Sequence, residues 1–141
     1  GVPDDPGVAY RILGPIGEAN VEVDMIVQNI GNDATTDFTF TVNRTDYAKA
    51  VDILNQVSRD LGAREVVGDD KIVKISLVGV GMRSHAGIAA KMFKVLSDEG
   101  INIQMISTSE IKISVVVDQK YLELGVRSLH EAFGLAQESA A

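Results

Sequence analysis

The chain has 141 residues, 45% hydrophobic and 23% charged, with no cysteine and a formal net charge of −7. That is a globular composition, long enough for one ordinary domain or two small ones, and the missing cysteines exclude disulfides and thiolate metal sites and fit a cytoplasmic setting. An acidic chain with few aromatics, no basic stretch and no apolar run near the ~20 residues of a membrane span is expected to bind neither nucleic acid nor membrane.

The opening stretch GVPDDPG (1–7) reads as a turn leading into a helix. Val8, Ile12, Leu13 and Ile16 form its one-sided apolar stripe, Pro6 suits the first helical position, and Asp5 or Asp4 suits the cap. Gly14-Pro15 falls inside this helix and should kink or loosen its last turns. An alternating strand follows at Val21, Val23, Met25 and Val27, then a polar turn from Gly31 to Ala34, then a strand around Phe38, Phe40 and Val42. A second helix carries Tyr47, Ala50, Val51, Leu54, Val57 and Leu61 on one face. The layout then recurs. The apolar run IVKISLVGV (72–80) leads into GMRSHAGIAAKMF (81–93), where Ser84 or His85 takes the cap position and Ile88, Met92, Phe93 and Leu96 the stripe. Strands at Ile101, Ile103, Met105 and at Ile111, Ile113, Val115 precede a helix with Leu122, Val126, Leu129 and Phe133 on one side.

A shift of 80 positions superposes Gly1 on Gly81, Gly7 on Gly87, Ala9 on Ala89 and Met25-Ile26 on Met105-Ile106; farther on the offset shrinks to about 75. A repeat this long predicts two copies of one small domain, 1–70 and 71–141. Each copy is expected to be an α+β, ferredoxin-like βαββαβ unit: an antiparallel sheet with both helices on one face. Copy one keeps only Gly1-Val2 of its first strand, and copy two has no apolar run after its last helix. The chain is therefore expected to be part of a longer protein or its ordered portion, with any catalytic part before residue 1. Units of this size are marginal alone and bare sheet edges invite pairing, so the copies should pair side by side, within the chain or across a homodimer.

The glycine-rich loop 81–87 resembles a phosphate cradle but lacks its chemistry. Five residues separate Gly81 from Gly87, Ile88 stands where a lysine is needed, and Ser84 occupies the third glycine of a dinucleotide motif. His85 and His130 lie in a loop and a helix with no carboxylate cluster beside them, so neither a metal site nor a catalytic residue is predicted. His85 reads as loop packing or as a polar ligand contact. What both loops offer is a helix amino terminus with free N–H groups, which takes a carboxylate as well as a phosphate. Asp4, Asp24 and Gln28 could receive an ammonium and a side-chain polar group; equally, Asp4 could cap the helix and Asp24 be solvated. The strands end in polar stretches, Gln28-Asn29 and Ser107 to Glu110, in both copies.

The stretches VDMIVQN, TTDFTFTV, VGVGMRSHAG, INIQMISTSEIKISVVV and LHEAFGL resemble the tandem ACT domains at the carboxyl end of aspartate kinase, over essentially the whole chain. ACT domains are βαββαβ amino-acid sensors, and this resemblance implies binding of L-lysine and/or L-threonine with feedback inhibition of the kinase that phosphorylates aspartate. By position, the first effector site would comprise Asp4, Asp5, Pro6, Gly7, Val8 and Ala9 with Glu22, Val23, Asp24, Gln28, Asn29 and Ile30. The second would comprise Met82, Ser84, His85, Gly87, Ile88 and Ala89 with Asn102, Ile103, Gln104, Ser107 and Thr108. Copy two departs from the pattern with Ala86 where the loop often carries proline, and has Ser84 and Gln104 against Asp4 and Asp24, so the copies need not prefer one ligand. The resemblance further implies that no catalytic residue, metal or cofactor belongs to this chain, ATP and magnesium being confined to the parent kinase domain. The expected partners are amino-acid effectors, a second copy of the chain, and an aspartate kinase catalytic domain or subunit. The amino acid would bridge the loop of one ACT copy and the strand of another.

Overall fold

A computed structural model describes residues 1–31, 33–79 and 85–134, with only the backbone of His85. The chain divides into two compact units, Gly1–Asp70 and Lys71–Ala141. No described helix is long and apolar enough to cross a membrane.

The first unit runs β1 (Val2–Pro3), α1 (Val8–Glu18), β2 (Val23–Ile30), β3 (Thr35–Val42) and α2 (Tyr47–Leu61), with a 3-10 turn at Arg44–Asp46 before α2. Its antiparallel sheet has the order β1-β3-β2. Alternate residues of β3, Phe38, Phe40 and Val42, meet Val8, Ile12 and Ile16 of α1 and Ala50, Leu54, Val57 and Leu61 of α2, so both helices cover one face. The spacing of three and four along each helix turns these residues to the sheet, and each buried large aliphatic contributes about 1.5–3 kcal/mol. α2 stops at Gly62, whose φ of 70° lets its N–H return to the Ser58 carbonyl.

The second unit repeats the plan with β4 (Ile72–Val78), α3 (His85–Asp98), β5 (Met105–Thr108), β6 (Lys112–Asp118) and α4 (Leu122–Ala132), in sheet order β4-β6-β5. Ile113, Val115 and Val117, all fully buried, face Met92 and Leu96 of α3 and Leu129 of α4. Across β4 and β6 the Ser76 and Ser114 hydroxyls bond at 2.7 Å.

Several expectations need correction. Each described unit carries five strands and α-helices in all, and the last strand expected of copy one does not form. After α2 the chain passes Gly1 closely enough that a Cβ on Gly1 would lie 2.7 Å from the Arg64 Cβ, yet forms no ladder there; β1 is only two residues long and offers almost no edge to pair with. Residues 135–141, where copy two would place its last strand, lie outside the described ones. The alternation expected at Val21, Val23, Met25 and Val27 holds in burial, but the pairing carries a bulge that the pattern did not announce: Val23 pairs with Val42 but Ile26 with Phe40, so Asp24 and Met25 together oppose Thr41. The Met25 N–H donates to the Thr41 hydroxyl, 3.0 Å. In the second unit Gln104 donates to the Val116 carbonyl while Met105 already pairs with Val116, and the regular strand starts only at Met105 rather than at Ile101. α1 carries Pro15 within it and continues to Glu18, closing through Ala19 to the Pro15 carbonyl and Val21 to the Ile16 carbonyl.

A last correction concerns the start of α1. The helix begins at Val8 with Gly7 at the cap position and no side-chain cap bond, so Pro6 precedes the helix and neither Asp4 nor Asp5 caps it. The loop is held by backbone instead: Asp4 N–H to Ala34 carbonyl at 3.1 Å, and the Gly7 and Val8 N–H groups to the Asp5 carbonyl at 3.0 and 3.3 Å.

Candidate functional site

Strand pairing decides which candidate residues can meet. In the first unit Pro3 lies opposite Thr35 and Val2 opposite Thr36, while Ile30, Asn29 and Gln28 lie opposite Thr36, Asp37 and Phe38. The loop Asp4–Gly7 and the end of β2 therefore occupy the same end of the sheet, on either side of β3, roughly 10 Å apart at two strand spacings. Asp4, Asp5, Pro6, Gly7 and Ala9 are exposed there, as are Gln28, Asn29 and Ile30. Val8 is 2% exposed and packed into the core, so only its backbone belongs to the loop surface.

Val23 pairs with Val42 at the far end of β3, about 20 Å away at ~3.3 Å per residue. Glu22 and Asp24 flank it and are exposed, whereas the Val23 side chain packs into the core. One unit thus separates the candidate residues into two groups: the loop with Gln28–Ile30, and Glu22–Asp24 at the opposite end.

The loop end leaves the first amides of α1 available. Gly7 accepts from Arg11 as the first helical bond, and the Ala9 and Tyr10 N–H groups find no acceptor among the described residues. Unpaired N–H groups at the positive end of a helix stabilise an anion. Asp5 pairs loosely with Arg11, 3.9 Å. A Cβ built on Gly7 meets nothing within 4 Å, so no close approach within the chain demands glycine there.

The neighbouring β2–β3 turn is clamped. Gly31 donates to the Thr35 carbonyl at 2.7 Å, and a Cβ on Gly31 would stand 2.9 Å from that oxygen, which requires glycine. Asp33 accepts from the Thr35 hydroxyl and from Arg64 at 3.2 Å. The Thr35 hydroxyl foremost, then local backbone N–H groups and Arg64, hold its carboxyl below the usual carboxylate range. Thr36, fully buried, donates its hydroxyl to the Asn29 carbonyl at 2.6 Å and so anchors β2 where the candidate residues lie. The sequence reading passed over Thr36; a hydroxyl at an inward position of an otherwise apolar strand was the available signal.

The second unit shows the same division. Val78 and Thr108 lie opposite Lys112 and Ile113, so the carboxyl end of β4 and the Ser107–Thr108 end of β5 share one end of the sheet. Gln104 stands at the Val116 level and Asn102 and Ile103 beyond it, with Ile103 packed against the core. Gly87 is exposed in the first turn of α3; Ile88 and Ala89 pack against the core. Met82 and Ser84 lie outside the described residues, as does the His85 side chain.

Residues 1–57 and 75–133 match the ACT domain family. The chain is 67% identical over 135 residues to the aspartokinase of Pseudomonas aeruginosa, a match covering 96% of this chain and 33% of that protein. It thus spans about a third of the length of the curated relatives it matches. Among solved structures, the ligand-free regulatory subunit of aspartate kinase from Thermus thermophilus is similar with a TM-score of 0.86 and 36% identity, over 94% of this chain and 87% of that one. E. coli aspartokinase III in complex with lysine and aspartate shares the fold with a TM-score of 0.62 at 22% identity, over 90% of this chain and 27% of that one.

Proposed function

Because this chain belongs to the ACT domain family and corresponds to the regulatory region of aspartate kinases, we propose that it senses L-lysine, L-threonine or both and feedback-inhibits the kinase that phosphorylates aspartate. The observation carrying this reading is that a protein which is itself a regulatory subunit matches over 87% of its length. The lysine complex of the more distant E. coli enzyme supports an amino acid as the ligand class.

The site geometry supports the same chemistry. The effector carboxylate meets the Ala9 and Tyr10 N–H groups, where the helix dipole favours it. Its ammonium meets Asp4, and Gln28 reads the side chain. One amino acid cannot span the ~20 Å from the loop to Asp24 along the sheet, so the Glu22–Asp24 end serves a binding event completed by a second copy of the chain. Inhibition follows only from the ligand's preference for the inhibited arrangement, a coupling of ~1–3 kcal/mol in ordinary allosteric proteins. ATP and magnesium belong to the kinase portion, which is a partner of this region.

Calorimetric and thermal-shift titration with each common amino acid tests the reading. Lysine, threonine or both should stabilise the fold by mass action, by ~2.7 kcal/mol at a hundredfold excess over Kd, and so raise the melting temperature. Asp4→Ala and Gln28→Ala should each weaken binding about tenfold with little change in the unliganded melt. A melt flat to lysine and threonine, alone and together, defeats the proposal; a shift with a different amino acid alone reassigns the chain to another sensor.

A further inference from the structure

Away from the loop, α1 and α2 of the first unit flank a groove of about 310 Å³. From α1 it is lined by Tyr10, Gly14, Pro15 and Glu18. Gly14 has no side chain to fill it, and Pro15 has no N–H, so the Arg11 carbonyl loses its ordinary helical partner beside the groove. From the last turns of α2 come Val57 and Leu61, which are apolar, and Asp60.

The electrostatics are those of a cation site. Glu18 and Asp60 are exposed carboxylates that make no ion pair among the described residues. Arg11, the basic residue lining the groove, leans to Asp5, 3.9 Å, toward the other end of α1. The carboxyl terminus of α2 adds the negative end of a helix dipole. Tyr10, 78% exposed, offers an aromatic face on which a cation can settle.

The second unit serves as an internal comparison. Lys94 and Val95 stand where the first unit has Gly14 and Pro15, and Asp98 stands where it has Glu18. There the Lys94 ammonium lies 2.8 Å from the Asp98 carboxylate. One copy supplies its own ammonium to this carboxylate; the other keeps the carboxylate, lacks the lysine, and has a groove in its place.

We propose that the α1–α2 groove of the first unit binds a small organic ammonium ion on an aliphatic stem, such as a diamine. The ammonium lies between Glu18 and Asp60, the stem against Val57, Leu61 and Pro15, and the Tyr10 ring over the top. A volume of about 310 Å³ suits a small molecule and not a helix. Tyr10 alone is shared, its backbone N–H facing the effector loop and its ring the groove; Gly14, Pro15, Glu18, Val57, Asp60 and Leu61 lie outside the loop and strand end of the effector site, so this site is tested independently of the proposed function.

NMR titration of the isotope-labelled chain with 1,5-diaminopentane tests it, with 1-pentanol as the uncharged control. The diamine should give saturable shifts at Gly14, Val57 and Leu61, and pentanol none. Gly14→Lys should abolish binding, because the new side chain reaches Glu18 as Lys94 reaches Asp98. That variant should fold, since a Cβ on Gly14 meets the Tyr10 ring at an ordinary 3.7–3.9 Å and the second copy carries lysine at this position. Glu18→Gln with Asp60→Asn should weaken diamine binding about tenfold and leave the response to lysine or threonine unchanged. Diamine shifts that persist in both variants, or that fall only on Asp4–Ala9 and Gln28–Ile30, overturn the proposal. So would a lysine-bearing peptide that binds far more tightly than the diamine, since that would make the groove a protein contact.

Discussion

At the residue scale, two side chains near the loop end do work that composition does not disclose. Thr36 has no solvent exposure, and its hydroxyl holds the Asn29 carbonyl. Thr36→Val keeps the shape but leaves that carbonyl without its donor, and should cost about 1 kcal/mol in denaturant melts, with Thr36→Ser largely restoring it. Effector affinity should fall in the valine variant as well, because the end of β2 is no longer anchored. Asp33 is stabilised as a carboxylate by Thr35 and Arg64. Its folded pKa lies below the unfolded value of ~3.9, so its contribution to stability is present above that pH and disappears as pH falls through the lowered folded value. Asp33→Asn should flatten this part of an acid titration of stability. The effect should be small, because the pair is exposed and solvent screens it.

At the element scale, the two copies solve the same helix ending with different residues. After α1 the chain turns at Asn20, φ 60°, and after α3 at Gly100, φ 72°. In both the next residue donates back to the last core position, Val21 to Ile16 and Ile101 to Leu96. Left-handed backbone costs a residue with a Cβ roughly 1–2 kcal/mol. Gly100→Ala should therefore destabilise by about that amount, whereas Asn20→Gly should be neutral or stabilise by up to ~1 kcal/mol; thermal melts of the two variants check the opposite signs. The bulge is the other repeated device. It places Asp24 and Met25 opposite Thr41, and Gln104 with Met105 opposite Val116. An extra residue in a strand re-aims side chains at that point, and in both copies one of them is a candidate polar contact.

At the scale of the whole molecule, duplication gives each unit its own hydrophobic interior, one cluster in the second unit and two in the first, with no residue in common between the units. Ile75, Met92, Leu96, Ile101, Ile113, Val115, Val117 and Leu129 form one; Val2, Val8, Ile12, Ile16, Val21, Ala50 and Leu61 form the others, in the first unit. Leu96→Ala should cost ~2–5 kcal/mol through the cavity it leaves. In hydrogen exchange the loss of protection should concentrate in residues 71–134, with the amides of α1 and β3 holding theirs. Uniform loss along the chain would show that the two units melt as one.

The helices and the duplication were legible in the sequence because their signals are local. Tyr47 to Leu61 and Leu122 to Phe133 carry apolar residues at helical spacing, and a fixed offset brings Gly7 onto Gly87 and Met25 onto Met105. So too was the loop 1–7 as the lead into a helix, through its glycine and proline content. Register was not legible, because a bulge depends on which residue of β3 stands opposite, and an alternating pattern is blind to one extra residue. The cap of α1 was misread for a similar reason: Asp4 and Asp5 are good capping types, but the bond from Asp4 to Ala34, 30 residues away, fixes the backbone otherwise. Sequence thus determined the kind of fold and its repetition. Only the tertiary pairing of β1, β2 and β3 decided that Asp4 keeps company with Gln28 and not with Asp24, since strand register sets distances that side-chain periodicity does not encode.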